Sequence, residues 1–336
     1  MPKTEVAITI DTEFEVNGAL GRPAERDPIG TESVYRMVDG QSHGLGFILD
    51  TLAEHALPAT FFVEVLNSLY FGPDPITRII DDIHARGQDV QLHAHPCWRY
   101  MKGRKAGRIA EGEYTDSFMH FDAAGLREVI DESVDIFQRL TGTRPVAFRS
   151  GGLHVTRGLY PALHEAGIAL ASNIGVGLFM PVEPELRLTS GIHHIDGVTE
   201  VPVLSYAGAG PLGRQANKVA TIIGSSWSEL RHLLNSAHAR ASGPVVILTH
   251  ASEYSSDRAA SATHPYRPSR TVQQRLVNLC RFLRANDDRF DVVSFAGAGQ
   301  RWPERSVAAT PALTVPITGM LQRLLQNNVL PRLGVH

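Results

Sequence analysis

The feature that most constrains this chain is a hydrophobic period that switches back and forth between two and 3.6. "EVAITIDT" (5–12) reads as a strand, and "LGFILDTLAEHA" (45–56) carries Leu45, Ile48, Leu49 and Leu52 at helical spacing before Pro58 stops it. "ATFFVEVL" (59–66) is strand-like. "PITRIIDDIHARG" (75–87) sets Ile76, Ile79, Ile80 and Ile83 on one helical face with Gly87 as its stop, and "DVQLH" (89–93) is strand-like again. A polar, glycine-containing loop is expected over 99–122. Beyond it helix 123–142 precedes strand 146–149, and helix 156–166 precedes strand 168–173. Such alternation predicts parallel strands with crossover helices. The later chain is less regular, with "VTEVPVLSY" (198–206), helix 227–241, strand 244–250, helix 270–286 and strand 290–295. About eight strands in this length suit one α/β barrel better than two domains.

With 43% hydrophobic and 20% charged residues among 336, the composition is that of a globular chain able to bury a large core. The net charge of −3, with both signs interspersed, offers no basic face, so nucleic acid and anionic membranes are not expected partners. No apolar stretch approaches the ~20 residues of a membrane-spanning helix. The two cysteines, Cys97 and Cys280, and an N-terminus without a basic-then-apolar leader lead us to expect a reducing cytoplasm. Near the end, Ile317, Met320, Leu321, Leu324 and Leu325 form an apolar stripe, expected to pack on the barrel or across a homodimer.

In an α/β barrel the chemistry sits at the carboxyl ends of the strands. Those ends carry Asp11 and Glu13, His93 and His95, Arg149, Asn173 and His250. Carboxylates, imidazoles and a guanidinium on one rim are the composition of a metal-assisted hydrolase. Asp11 and Glu13, like His93 and His95, are two residues apart in an extended segment and therefore point to the same side. One carboxylate can bind metal while the other takes a proton; His250 at the opposite rim can protonate a leaving amine, and Arg149 can orient the basic aspartate by a bidentate contact. Each residue alone has an ordinary reading: a turn cap for Asp11, a surface ion pair for Arg149, a small apolar filler for Cys97.

Taken in order, these strand ends resemble the NodB-type polysaccharide deacetylases, carbohydrate esterase family 4. "TIDTE" (9–13) is similar to the D-x-E variant of the first motif, "GQDVQLHAHPCW" (87–98) to the second, "FRSGG" (148–152) to the third, and "VVILTHASEY" (245–254) to the fifth. The resemblance spans about residues 4–303. It implies a distorted (β/α)7-8 barrel over 1–303 with a C-terminal helical tail over 304–336. It further implies a zinc or related divalent cofactor held by Glu13, His93 and His95, with Asp11 as base, Arg149 holding that base and His250 as general acid. Leu248, Gly151, Gly152, Trp98 and Glu253 would line the site of an N-acylated sugar, with residues 263–269 also near it. The implied reaction is N-deacetylation of a sugar or glycan precursor. The H-x-H-P form is similar to that of the WalW-like branch in lipopolysaccharide biosynthesis. Two departures stand out. The usual H-x-x-x-H becomes His93 and Cys97, leaving His95, Cys97 or water to complete the metal site, and "ASN" (171–173) replaces the usual D-S-S, so that Asn173 offers only a neutral contact. These departures motivate the rival reading of a catalytically silent sugar-binding relative. An amidohydrolase would carry H-x-H on its first strand and an aspartate after its last, which this chain does not. "GAGPLG" (208–213) matches G-x-G-x-x-G, but Pro211 and its late position argue against a nucleotide site.

Overall fold

The structure is a computed structural model describing residues 2–22, 25–105, 115–209, 215–256, 266–309 and 312–329. Its centre is a nine-stranded sheet containing β1 (Thr4–Thr12), β2 (Thr60–Glu64), β3 (Asp89–Ala94), β4 (Ala147–Ser150), β5 (Leu170–Ala171), β6 (His193–Ile195), β7 (Val198–Glu200), β8 (Val245–His250) and β9 (Phe290–Val292). The strand order is β8-β1-β2-β3-β4-β5-β7-β6, with β9 paired to the start of β1; every pairing is parallel except that of β6 with β7. Helices α1 (Leu45–Glu54), α2 (Asp74–Ala85), α3 (Ala123–Thr141), α4 (Leu159–Glu165), α5 (Trp227–Ala239) and α6 (Arg270–Ala285) are the crossovers.

Period two along the strands produces two cores. Val6, Ile8 and Ile10, Phe61 and Val63, Leu92, Phe148, and Val245 and Ile247 face the helices; Ala7, Phe62, Ala147, Leu170, Val246 and Leu248 face inward and form a separate cluster. The sheet curls far enough to come round on itself. After β7, Val201 N–H donates to Ala171 O at 2.8 Å, Val203 N–H to Ile174 O at 2.9 Å and Leu204 N–H to Val246 O at 3.0 Å, so one stretch of chain spans the gap between β5 and β8. The result is a distorted barrel closed by single bridges rather than by a full ladder.

The expected 168–173 strand pairs only over Leu170–Ala171, because Ser172 and Asn173 are engaged with residues around β4. The loop expected over 99–122 instead begins with a helix, Cys97–Lys105. "GAGPLG" starts in the strand of an antiparallel hairpin (Ser205–Ala209 with Gln215–Val219), whose turn at 210–214 lies outside the described residues; it does not open a helix as a dinucleotide loop would. Residues 263–265 of the anticipated sugar-side loop also lie outside them.

The residues after 303 carry more than a helix. Val307 bridges Ile192, Leu313–Thr314 adds a parallel strand beside Tyr206–Ala207, and α7 (Ile317–Leu324) lies on α5. α7 docks by its small and polar side, with Ser226 Oγ donating to Gly319 O at 3.0 Å and Arg323 Nε to the buried Glu229 at 3.1 Å, while Ile317, Leu321, Leu324 and Leu325 are exposed. No helix among the described residues is long and apolar enough to cross a membrane.

Candidate active site

The inward-facing alternation that fills the barrel with apolar side chains turns polar at the carboxyl ends of its strands. On β1 the series Ala7, Thr9, Asp11 rises to the rim. β3 adds His93, β4 adds Arg149 and β8 adds His250, which lies directly opposite Asp11 in the ladder. Glu13 and His95 follow two residues beyond Asp11 and His93 on the same side.

Arg149 is fully buried, and its guanidinium is spent on fixing the rim. Nη1 donates to Asp11 Oδ1 at 2.7 Å and to Thr9 Oγ1 at 2.9 Å; Nε donates to Ser172 O at 3.0 Å and Nη2 to Ser172 Oγ at 2.9 Å. The plane lies 4.2 Å over the Phe62 ring. The contact to Asp11 is thus one-pronged and not bidentate as anticipated, because the other nitrogens serve Thr9 and Ser172. That leaves Asp11 Oδ2 facing the cleft, 3.9 Å from His250 Nε2.

Glu13 Oε2 lies 3.0 Å from His93 Nε2 and 2.8 Å from His95 Nε2. Each ring uses its other nitrogen elsewhere: His93 Nδ1 donates to Arg149 O at 2.8 Å, and His95 Nδ1 lies 2.8 Å from Asp116 Oδ2. Rings protonated at Nδ1 turn Nε2 lone pairs toward a carboxylate oxygen, and two lone pairs aimed at an anion call for a cation between them. Burial alone would raise the Glu13 pKa, but His95 and His93 together hold it well below the ordinary range. The three donor atoms lie within 4.8 Å of one another, so this set fits a divalent metal. A second group, His95, Cys97 and Asp116, is equally tight, but the Cys97 thiol is buried in the apolar core, and burial first and Asp116 second drive its pKa upward, against the thiolate a metal needs.

His250 is held from behind. Its Nδ1 lies 2.8 Å from Glu253 Oε1, while Glu253 Oε2 accepts from Thr249 Oγ1 at 2.7 Å. Burial lowers the imidazole pKa, but Glu253, then Glu13 and Asp11, outweigh it and raise it to about 10. Glu253 is therefore turned toward His250 rather than toward a sugar.

Other anticipated groove residues also fall elsewhere. Trp98 is buried against Phe71 and Tyr70 and cannot touch a substrate, because the helix beginning at Cys97 turns it into the core. Leu248 lies in the inner apolar cluster beneath His250. Gly151 has a definite purpose: a Cβ there would stand 2.5 Å from the His95 ring, so only glycine lets that ring lie against β4. Gly152 adopts φ +61°, which favours glycine. Asn173 accepts from Ser150 N–H at 2.8 Å and so shapes the β4 end, with Glu200 beneath it accepting from the Asn173 and Ile174 amides. Asp116 and the supporting role of Glu253 escaped the sequence reading. Glu253 lies one helical turn after His250, which was a usable signal; Asp116, in a polar loop about twenty residues from His95, gave none.

No protein-family model and no curated protein matches the chain. Among solved structures it is similar to a Mycobacterium smegmatis protein classed as a polysaccharide deacetylase, with 17% identity over 93% of this chain and 96% of that one and a TM-score of 0.49. It is similar to Puue allantoinase, with 13% identity over 89% and 90% and a TM-score of 0.49. A family 4 acetyl xylan esterase from Clostridium thermocellum with a cobalt ion shares 16% identity over 92% and 100%, with a TM-score of 0.41. At these identities and scores the likenesses assign neither family nor activity, so the site's own geometry has to carry the functional reading.

Proposed function

We propose that the chain is a metal-assisted hydrolase that removes an N-acyl group, acetyl in the simplest case, from a sugar or glycan precursor. The observation that carries this reading is the convergence on one rim of a free carboxylate oxygen (Asp11 Oδ2), a three-donor metal set (Glu13, His93, His95) and a proton-bearing imidazole (His250). The sugar, in place of another amide, rests on the order of the strand-end motifs and their resemblance to family 4 esterases. The WalW-like second motif makes surface-polysaccharide assembly our choice of setting. We take residues 1–303 as the catalytic barrel, with the remainder as its packed extension.

A divalent cation bound by Glu13, His93 and His95 polarises the acyl carbonyl and acidifies a nucleophilic water. Two imidazoles and one carboxylate with open positions is a common catalytic zinc set, which makes zinc our choice of metal. Asp11 accepts the water's proton through Oδ2 while Arg149 pins Oδ1. His250 Nε2 delivers a proton to the departing nitrogen, and Glu253 keeps it charged and turned toward the cleft. The silent-relative reading leaned on the altered second and fourth motifs. His95 reaching Glu13 and Glu253 reaching His250 supply both missing supports from other residues, which favours the active reading.

The test is acetate release by the zinc-loaded protein from N-acetylglucosamine oligomers and from a nucleotide-linked N-acetyl sugar. Asp11→Asn is expected to retain stoichiometric zinc and to lose activity by roughly 10²–10⁴-fold, the usual worth of a positioned base. Full activity in that variant would move the base elsewhere, and absence of acetate release from every N-acylated glycan would remove the sugar assignment.

A further inference from the structure

The two histidines facing Glu13 are anchored by different chemistry. His93 gives its Nδ1 proton to a neutral acceptor, the Arg149 carbonyl, inside the barrel. His95 turns its Nδ1 to a carboxylate that reaches in from the loop between the Cys97–Lys105 helix and the short 3₁₀ turn Phe118–His120: Asp116 Oδ2 lies 2.8 Å from Nδ1, and Asp116 Oδ1 accepts from the Cys97 amide at 3.4 Å. Asp116 is half-exposed and spans two consecutive turns of the chain, so it ties the ring to the start of the helix that follows it.

His95 belongs to two donor groups, and one ring cannot serve both in the same way. In the first group it offers Nε2 beside Glu13 and His93; in the second it would offer Nδ1 beside Cys97 and Asp116. Donation of Nδ1–H to Asp116 commits the lone pair to Nε2 and hence to the first group. The surroundings agree. The first group opens toward Asp11 and His250, whereas Cys97 is fully buried among the side chains behind it. A carboxylate on the far nitrogen of a ligating imidazole fixes its tautomer and makes Nε2 a stronger donor.

Resting on the metal-site reading above, we propose that Asp116 is the positioning residue that selects His95 Nε2, and neither Cys97 nor His95 Nδ1, as the third protein donor. It is a carboxylate–histidine–metal relay supplied by a surface loop.

The experiment measures zinc affinity of the full chain by competition with a chromophoric chelator and records the absorption of the cobalt-substituted protein. Asp116→Ala is expected to weaken zinc by roughly 10–100-fold, the cost of losing such an outer partner. Asp116→Asn, whose amide oxygen can still accept from Nδ1 but carries no charge, should fall between that variant and wild type. Cys97→Ala should bind as tightly as wild type, and cobalt in the wild-type protein should show no sulfur-to-metal charge-transfer band. Unchanged affinity in both Asp116 variants overturns the inference while leaving the metal site standing. A charge-transfer band, with loss of affinity in Cys97→Ala, overturns it in favour of the second donor group. Wild-type protein that takes up no stoichiometric zinc or cobalt overturns the metal reading itself.

Discussion

At the scale of single residues, the site works through pairs in which one member has a chemical task and the other fixes its state. His250 is useful as an acid only while it carries a proton, and Glu253, 2.8 Å from Nδ1, is what keeps it there. Burial pulls the other way, yet the imidazole sits at about 10 because the carboxylates win, Glu253 first and then Glu13 and Asp11. A bound cation neutralises the share of Glu13, which leaves Glu253 as the dominant anion. A raised acid pKa means that activity persists to alkaline pH and falls as pH climbs through the folded value. Glu253→Gln removes the charge and keeps an acceptor oxygen, so the alkaline limb of the kcat/KM profile should move at least about one unit toward the ordinary histidine value near 6.5. An unmoved limb would show that Glu253 only packs. The sequence made Asp11, Glu13, His93, Arg149 and His250 legible because strand ends can be read from a period-two pattern. Partners such as Asp116 and Ser172 were not, since nothing local to them encodes which side chain they will meet.

At the scale of elements, legibility followed the period. The inward and outward faces of β1, β2, β3 and β8 follow from alternation alone, and this is why the site could be placed before any coordinate was known. α7 shows the limit of the same logic. A 3.6-residue stripe tells which side chains share a face, not which face docks, and here the polar face docks. The reason lies on α5, where Glu229 closes a capping box with Ser226 and is completely buried. A buried carboxylate needs a cation more than the surface needs relief from a few leucines, and Arg323 supplies it at 3.1 Å. Arg323→Ala should therefore destabilise the protein by about 2–3 kcal/mol, below the 3–5 kcal/mol typical of a broken buried pair because the Ser226 bonds to Glu229 survive. Urea unfolding would measure it; a loss within about 0.5 kcal/mol, the range of ordinary surface substitutions, would mean the pair is merely superficial.

At the scale of the whole molecule, the barrel is strong where its ladders are long and weak where it closes. β1 pairs with β8 over six residues, yet the far side of the ring is completed by isolated bridges around Val203 and Thr221. That closure was invisible in the sequence, because "VTEVPVLSY" pairs with two different neighbours along its length and so shows no single strand pattern. The proposed metal set draws together β1 and β3, which are separated by β2, and it therefore acts across the sheet rather than within one pairing. A cation bound only by the folded ring adds RT ln(1 + [M]/Kd) to stability, about 2.7 kcal/mol at a hundredfold excess over Kd. Stripping the protein with a chelator and restoring zinc should raise Tm by several degrees, since for a chain of this size each kcal/mol is worth roughly 2 °C or somewhat less. Glu13→Gln and His93→Ala should lose that zinc-dependent rise, whereas Asp11→Asn should keep it, because Asp11 holds a proton site and not the metal. A zinc response that survived Glu13→Gln and His93→Ala alike would place the cation elsewhere on the molecule, and with it the chemistry assigned to this rim.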